Sequence, residues 1–324
     1  MSEAPILITG ADRSGTTLLY TLLASHPDVM MTRRTNLWRW FDQSFGDLGD
    51  RGNLDAILRE MMRYRRLDVL GLRPDEVVRA FETGEPTYGR LFEILFRQAA
   101  DRQGAERWGD KSLHTELSAD RVLEEWPSAR IVQMVRDPRD RYASVIGRRG
   151  SDSNSDGSIM GRWLKSIRMG ERAARRHPTS FKMVRFEDLV LEPEKQLREI
   201  CAFFDLRFDE AMFRMDGGDA RTEAGANSSF GEIPRGVISS RPIGRYREHL
   251  DRVTISTIQA VAARPMRRWE YHRDANERAV PAASVAVAAR VITASARIAG
   301  WTTVETIREA QGRRAPERRL RPPS

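Results

Sequence analysis

The sequence has very little cysteine and no long apolar segment. Only one cysteine, Cys201, occurs among 324 residues, which excludes a framework of disulfide bonds. It lies in the helical pattern LREICAFF, where we expect a buried thiol and not a nucleophile. No stretch of about eighteen apolar residues is present, and the chain begins without the basic region and cleavage site of a signal peptide. We therefore expect a cytoplasmic protein.

The composition is that of a folded globular protein with a basic surface. Hydrophobic residues make up 40% and charged residues 31%, and 324 residues are enough for one large α/β domain or two small ones. The net charge of +8 raises the question of nucleic acid or an anionic membrane as partner. The excess is mostly arginine spread through predicted helices, with no nucleic-acid-binding motif. We expect a solvated surface, an anionic cofactor and no nucleic-acid partner.

The first informative stretch is PILITGADRSGTTLLYTLLAS, residues 5–25. Its apolar start predicts a buried parallel strand, and its leucines predict a helix, with a loop of small residues between them. Gly10 and Gly15 bracket four residues, which is the spacing of a phosphate-binding loop. Thr16 stands where a nucleoside triphosphatase has its lysine, and Arg13 lies inside the loop. This arrangement favours a ligand with fewer phosphate groups than a triphosphate.

The string RSGTTLL after the first strand resembles the 5′-phosphosulfate loop of sulfotransferases that use 3′-phosphoadenosine 5′-phosphosulfate (PAPS). The resemblance is to the bacterial type, with motifs similar to those of tyrosylprotein sulfotransferases. It implies that five loop residues hold the 5′-phosphate and the sulfuryl group: Arg13, Ser14, Gly15, Thr16 and Thr17. The alternative is a strand-to-helix turn with incidental glycines.

A second motif follows the apolar strand predicted over residues 129–135. Arg136 ends that strand, and RDPRDRYAS then begins a helix with Pro138 in its first turn. Ser144 and Arg148 are four positions apart and share a helix face, so a hydroxyl and two guanidinium groups form a phosphate-sized site. The family resemblance implies that Arg136, Ser144 and Arg148 hold the 3′-phosphate of PAPS. The alternative is a set of surface arginines.

Two further stretches resemble the family more weakly. Phe186 precedes E-D-L, at a position where relatives often carry tyrosine, and the resemblance implies that it stacks on adenine. The segment ISSRPIGRY is similar to a basic, glycine-containing loop that closes on PAPS. That similarity implies binding roles for Ser240, Arg241 and Gly244.

Three residues are the candidate catalytic groups. Arg13 and Lys111 supply cations, and Lys111, in WGDKS, stands where relatives carry a lysine that stabilises the leaving phosphate oxygen. His114 is the candidate general base, since histidine titrates near neutral pH, although it could equally be a structural histidine. Asp110 is a second candidate base, and we expect its neighbour Lys111 to lower its pKa.

The acceptor is less well indicated. Relatives of the tyrosylprotein type use a glutamate after H-P-D, whereas Arg33 and Arg34 stand there in this chain, which is a departure that could favour an anionic acceptor. Trp38, Trp40 and Phe41 either attach the next loop to the core or line a pocket for an apolar acceptor.

Together these features predict an α/β fold with a central parallel sheet flanked by helices, a P-loop-like three-layer domain. It would span residues 1–274, with a helical cap insert at about 35–105. Residues 275–324 would form a helical extension with a basic tail, which could contact a membrane or another subunit in an oligomer.

The predicted activity is transfer of a sulfuryl group from PAPS to a hydroxyl or amine of a small-molecule, lipid or glycan acceptor. We expect in-line displacement that requires no metal. Two alternatives stay open. A P-loop nucleotide or small-molecule kinase would use IVQMVRD to place an aspartate on Mg²⁺, and an inactive protein of the sulfotransferase fold would bind the nucleotide only.

Overall fold

The computed structural model describes residues 4–149, 155–217, 236–273 and 285–310. Within these residues five strands form one sheet: β1 Ile6–Thr9, β2 Val29–Arg33, β3 Arg107–Lys111, β4 Arg130–Val135 and β5 Phe181–Arg185. All neighbouring strands are parallel, in the order β2-β3-β1-β4-β5. The predicted α/β fold with a parallel sheet is confirmed.

Helices connect and cover these strands. The first group is α1 Thr16–Ala24, α2 Leu37–Trp40, α3 Arg51–Arg63, α4 Pro74–Phe81, α5 Tyr88–Gln103, α6 Ala119–Glu125 and α7 Pro138–Arg149. The second group is α8 Ser155–Arg176, α9 Phe186–Leu191, α10 Pro193–Phe203, α11 Tyr246–His249, α12 Arg252–Val261, α13 Ala263–Arg268 and α14 Val285–Ala310. Short 3₁₀ turns lie at Arg65–Leu70, Thr115–Ser118 and Glu210–Arg214. No helix in the described parts of the chain is long and apolar enough to cross a bilayer.

Strands β1, β2 and β4 are buried almost throughout, which explains their largely apolar sequences. The edge strand β5 is only partly buried. Ile6 and Ile8 of β1 pack with α1 and α10, whereas Leu7 between them joins the cluster formed by α3, α4, α5 and α6. On that second face Trp108 stacks on Phe96, with ring centroids 4.5 Å apart. Each fully buried apolar side chain of this kind contributes roughly 1.5–3 kcal/mol.

The helices α3, α4 and α5 lie between β2 and β3 in the chain, within the range of about 35–105 predicted as a helical cap insert, and the cap stays a prediction. Gly71 and Gly104 end helical segments here with positive φ angles of 54° and 64°. At the other end of the chain, α14 packs on α8 and α12. The division into a domain of residues 1–274 and an extension of 275–324 stays a prediction.

One predicted loop is partly wrong. The polar segment 151–158 is expected to be a surface loop, but residues from Ser155 onward form the first turns of α8. Gly157 lies directly against α14, since a Cβ there would come within 2.7 Å of the Arg297 carbonyl oxygen. This packing between helices outweighs the local turn preference of serine, aspartate and glycine.

The sheet order places one edge of the molecule at a topological switch point. The chain leaves β1 toward β2 and β3 on one side, and later reaches β4 and β5 on the other. Ligands of open α/β sheets bind at the carboxyl ends of strands where this reversal occurs. The segments after β1, β3 and β4, which carry most of the predicted site residues, all begin at that edge.

Candidate active site

The loop between β1 and α1 has the backbone geometry of an anion-binding loop. Gly10, Arg13 and Gly15 have positive φ angles of 137°, 68° and 87°, and Gly15 is the N-cap residue that precedes α1. A Cβ at Gly10 would approach the Met134 carbonyl oxygen of β4 to 2.5 Å, so the loop can lie this close only with glycine there. The N–H groups of the first turn of α1, which have no partner within the helix, therefore face the carboxyl edge of the sheet.

The side chain of Phe186 packs against this loop. A Cβ at Gly15 would come within 2.3 Å of its ring, and the Cζ atom of Arg136 lies 4.7 Å from the ring centroid. The phenylalanine is only 6% exposed and belongs to the core cluster on the α1 side of the sheet. Little of its ring is left for a nucleotide base, and its predicted stacking on adenine stays a prediction. Its observed role is packing between the loop and Arg136.

Arg13 and Ser144 join the two predicted phosphate sites directly. Arg13 Nε donates to Ser144 Oγ at 2.9 Å, and Arg136 donates from Nη1 to the carbonyl oxygen of Arg13 at 3.1 Å. Arg136 Nη2 donates to the carbonyl oxygen of Pro242 at 2.8 Å. The residue at the exit of β4 therefore holds the first loop and a late loop of the chain together.

Arg136 is also the clearest point at which an anion could bind. It is 6% exposed, and its Nε is buried without a hydrogen-bond partner. Burial lowers the pKa of its guanidinium, while the nearby carboxylates of Asp140, Glu187 and Asp137 act in the opposite direction. Because an arginine stays protonated in proteins, an unpaired buried donor here is suited to an anionic oxygen. The charge and the unpaired Nε donor of Arg136 thus fit a phosphate group at this position.

The late loop is fixed by one carboxylate. Asp140 accepts hydrogen bonds from the backbone N–H of Gly244 at 2.7 Å and of Tyr246 at 2.9 Å. Gly244 has a φ angle of 78°, which accounts for glycine at this turn. The structure therefore brings Gly244 to the strand exit, next to Pro242.

Three predicted binding residues lie farther out. Ser240 and Arg241 are exposed at the start of the late loop, and Arg148 is exposed one turn after Ser144 on α7. Ser144 itself is 2% exposed. The set predicted at the 3′-phosphate is thus divided between two buried groups and one exposed arginine.

A buried ion pair that the sequence analysis did not identify fixes the first loop. Arg141 is 1% exposed and donates to Asp12 twice, from Nε to the carbonyl oxygen at 2.8 Å and from Nη2 to Oδ1 at 2.5 Å. Its Nη1 donates to the Ile159 carbonyl oxygen at 2.7 Å. The two bonds to Asp12 connect the first loop to α7, and the third bond connects α7 to α8.

Lys111 points from the end of β3 into the same edge. It is 2% exposed, its Nζ donates to Thr17 Oγ1 at 3.3 Å, and it lies 5.7 Å from the centre of the Tyr20 ring. Ser14 and Thr16 of the loop are buried as well, with 1% and 4% exposed. The structure thus brings the predicted catalytic lysine onto the first turn of α1.

His114 faces a buried carboxylate two residues further on. Its Nδ1 lies 3.6 Å from Glu116 Oε1, and Glu116 has no exposed side-chain surface. Glu116 also accepts hydrogen bonds from Thr9, the last residue of β1, and from Ser166 of α8. Burial raises the pKa of Glu116, but its contacts with His114, Ser166 and Thr9 outweigh that effect and hold the pKa below its usual value. Glu116 is therefore an anion that can orient the imidazole.

Asp110 differs from expectation. Its carboxylate accepts hydrogen bonds from Thr32 and Thr35 at 2.8 Å each, and also from Ser112. Burial raises its pKa above the usual value, and the three hydroxyl hydrogen bonds and Lys111 offset this only in part. Lys111 lowers the pKa of Asp110 as predicted, but the pKa as a whole is raised because desolvation of a fully buried carboxylate is the larger effect. Asp110 is a structural hydrogen-bond acceptor under the loop after β2.

A cavity of about 1040 Å³ opens beside His114. The loop after β2 and the turn after β3 form two of its walls, and α8 and α14 form the others. Trp38 lines it but is attached to the core, with its ring 5.2 Å from Phe92 and 4.9 Å from Trp126. Phe41 is fully buried. Of the two predicted roles of these aromatics, attachment of the loop is the one that the contacts show.

Asp42 carries an unusual carboxyl group in the wall of this cavity. Burial raises its pKa to about 6, although Arg121 opposes the effect. The nearest guanidinium atom, Arg121 Nε, is 3.7 Å from Oδ1. That oxygen is buried and lacks a hydrogen-bond partner. It can accept a hydrogen bond from a molecule in the cavity.

Comparison with known proteins now identifies the family. Residues 5–210 match the family model described as "Sulfotransferase family". The chain belongs to the sulfotransferase family. Every residue of the first loop, the strand exit, Lys111 and His114 lies inside the matched range.

Relatives and solved structures agree with this sulfotransferase assignment. The chain is 26% identical over 274 residues to the protein-tyrosine sulfotransferase of Drosophila melanogaster, covering 82% of this chain and 47% of that protein. It is 29% identical over 210 residues to protein-tyrosine sulfotransferase A of Caenorhabditis elegans, covering 63% and 50%. The chain thus spans about half the length of these relatives.

The fold is also that of the sulfotransferase domain from the Synechococcus PCC 7002 olefin synthase. The two share 24% identity and a TM-score of 0.52, over 76% of this chain and 88% of that one. The sulfotransferase domain from the curacin biosynthetic pathway has the same TM-score, 0.52, at 18% identity. At these identities the likeness concerns the fold alone.

Three residues of this site were missed by sequence reasoning. Asp140 and Arg141 stand within the same RDPRDRYAS string as Arg136, and a count of buried-side positions on α7 could have identified them. Glu116 carries no comparable signal, because a single glutamate two residues after a histidine is common in loops. Its role depends on the distant residues Thr9 and Ser166.

Proposed function

We propose that this protein transfers a sulfuryl group from PAPS to an acceptor hydroxyl or amine by in-line displacement. One observation supports the proposal most strongly, namely the contact between Arg13 in the first loop and Ser144 after β4. It makes the two predicted phosphate sites neighbours, as a nucleotide with phosphates at both ends of its ribose requires. Family membership supports the same activity.

The residues that would hold the donor divide into two groups. The N–H groups at the start of α1, with Arg13 and Thr17, would hold the 5′-phosphate and the sulfuryl group. Arg136 and Ser144 would hold the 3′-phosphate, and Arg148 would approach it from the exposed side of α7. PAPS, when bound, supplies the activated sulfuryl group and a stable diphosphate leaving group.

The remaining residues act on charge and on one proton. Lys111 lies beside Thr17, and Arg13 belongs to the same loop, so both cations would stabilise negative charge on the leaving phosphate oxygen at that loop. His114 would take the proton of the acceptor at the edge of the cavity, held in orientation by Glu116. Hydrogen-bond donors in a buried site are worth more than the same groups in water.

The acceptor is proposed as a small molecule, lipid or glycan. The relatives named above are protein-tyrosine sulfotransferases. In this chain Arg33 and Arg34 stand where the resemblance predicts a glutamate. The backbone N–H of Arg34 donates to the carbonyl oxygen of Lys111 at 2.8 Å. We therefore do not propose a protein tyrosine as the acceptor. We also propose that the protein is cytoplasmic.

The proposal can be tested with the purified chain. We expect adenosine 3′,5′-diphosphate to raise the melting temperature in the presence of EDTA, and ATP with Mg²⁺ to give a smaller shift. Labelled PAPS should then transfer its label to a component of a cell extract. Stabilisation by ATP and Mg²⁺ alone would favour the kinase alternative, and nucleotide binding without any transfer would favour the inactive binding protein.

A further inference from the structure

The cavity beside His114 has a wall that lies outside the family match. Thr306 and Glu309 of α14 line it opposite the turn that carries His114, together with Lys165 of α8. The matched range ends at residue 210, so α14 belongs to a part of the chain that the family model does not cover. A segment beyond the family match thus forms part of the space next to the candidate base.

Close packing holds α14 in this position. Gly157 and Gly161 of α8 lie under it, since a Cβ at Gly161 would come within 2.4 Å of the Trp301 ring. Small residues four positions apart allow two helices to approach this closely. Near the cavity, Lys165 forms an ion pair with Glu309 at 2.5 Å, and Glu305 is 9% exposed. The wall is an integral part of the fold.

From this placement we infer that α14 is the outer wall of the acceptor site, and that Thr306 and Glu309 help to select the acceptor. The inference rests on the proposed function, because it assigns the cavity to the acceptor of that reaction. Among the described residues that line this cavity, only Thr306 and Glu309 come from the chain beyond residue 210. The last helix then determines which molecules reach the base.

The wall chemistry indicates the class of acceptor. Thirteen of the eighteen residues that line the cavity have polar or charged side chains. Side chains of both charge types line it, with Arg39 and Lys165 as basic groups and Asp42 and Glu309 as acidic groups. A cavity of about 1040 Å³ is at the upper end of the roughly 300–1,000 Å³ typical of pockets for drug-sized ligands, so it is larger than one aromatic ring requires. We infer a water-soluble acceptor with several hydroxyl or other hydrogen-bonding groups.

Two matched cysteine variants test the position of the wall. Thr306→Cys places a thiol in the cavity wall, and Thr303→Cys places one on exposed surface of the same helix outside the cavity. Both threonines are exposed and donate to the carbonyl oxygen four residues earlier, at 2.9 Å and 3.1 Å, so the substitutions are comparable. The native Cys201 is 1% exposed and burial raises its pKa to about 11, so it should not react.

Each variant is labelled with a fluorescein maleimide, and transfer from labelled PAPS to a cell extract is compared before and after labelling. We expect labelling of Thr306→Cys to reduce the rate at least tenfold, and labelling of Thr303→Cys to change it less than twofold. Binding of adenosine 3′,5′-diphosphate should stay the same in both. If the two labels have equal effects while the unlabelled proteins remain active in transfer, the inference about α14 is wrong and the proposed function is unaffected. If none of the proteins transfers the label, the proposed function is contradicted as well.

The acceptor class is tested by fractionating the extract before the reaction. Chloroform-soluble lipids, macromolecules above a size cut-off and water-soluble small molecules are each offered with labelled PAPS. We expect the water-soluble small molecules to receive the label, and labelling of Thr306→Cys to suppress that product. Transfer to the lipid fraction or the macromolecules alone would show that the polar wall does not select the acceptor.

Discussion

Arg13 Nε donates a hydrogen bond to Ser144 Oγ at 2.9 Å, although the two residues are 131 positions apart. The contact joins the loop after β1 to the helix after β4. It explains why the structure needs no large rearrangement to bring two anion-binding groups together. Arg136 in turn donates to the carbonyl oxygen of Arg13. Arg13 is therefore the residue that connects the two predicted phosphate sites.

Arg13→Ala should therefore abolish turnover and also weaken nucleotide binding. The change removes a charge and a bond to Ser144, and hydrogen bonds to charged groups contribute about 1.5–3 kcal/mol each. We expect at least a hundredfold loss of rate, measured by transfer from labelled PAPS. Arg198→Ala, an exposed arginine on α10, is the control and should behave as the wild type. Unchanged kinetics in Arg13→Ala would remove this residue from the site.

Gly15→Ala should destabilise the protein more than Gly104→Ala. Both glycines have positive φ angles, 87° and 64°, so each alanine loses roughly 1 kcal/mol in backbone conformation. At Gly15 the new methyl group would also lie 2.3 Å from the Phe186 ring, whereas at Gly104 it meets nothing within 4 Å. We expect an additional loss of about 1–3 kcal/mol for Gly15→Ala in urea unfolding. Equal losses would mean that Phe186 does not constrain the loop.

Glu116→Gln should lower kcat about tenfold to a hundredfold and leave the dissociation constant of adenosine 3′,5′-diphosphate within twofold. Glutamine keeps an oxygen for Thr9 but removes the negative charge that faces His114. Because Glu116 acts through His114, the same change in a His114→Ala background should cost little more. Additive losses in the double variant would show that Glu116 has a structural role only.

Asp42→Asn should raise the free energy of unfolding at pH 8 but not at pH 4. The pKa of Asp42 is about 6 in the folded protein and 3.8 for an unperturbed carboxyl, so the folded state binds the proton more tightly. Protonated Asp42 therefore favours the folded state below the unfolded pKa of 3.8, and this contribution to the free energy of unfolding is lost as the pH rises through about 6. The gain at pH 8 should be on the order of 1–3 kcal/mol. Asp101→Asn, at an exposed site on α5, should change stability by less than about 0.5 kcal/mol.

Much of the fold could be predicted from local patterns. The apolar runs that became β1 and β4 are buried on both faces, and Gly10 and Gly15 stand at the positive φ angles that a phosphate-binding loop requires. These features depend on residues close together in the chain. The family resemblance added the expectation that Arg136 and Ser144 lie near the first loop, and the contacts with Arg13 place them there.

The contacts that sequence reasoning could not supply all join distant segments. Asp140 holds the backbone of Gly244, and Glu116 joins Thr9 to Ser166. The pKa of Asp110 was expected to follow its neighbour Lys111, but burial by the rest of the fold decides it. Such effects depend on which surfaces pack together, and no periodicity within one element reports that.

The central claim is that one nucleotide is bound between the first loop and the exit of β4. The most direct test is a calorimetric titration of wild type and Arg136→Ala with adenosine 3′,5′-diphosphate and with adenosine 5′-monophosphate, in EDTA. We predict that the wild type binds the diphosphate at least tenfold more tightly, and that Arg136→Ala loses this preference while binding the monophosphate nearly as before. If the variant weakens both ligands equally, or retains the preference, Arg136 does not contact a 3′-phosphate and the claim is contradicted.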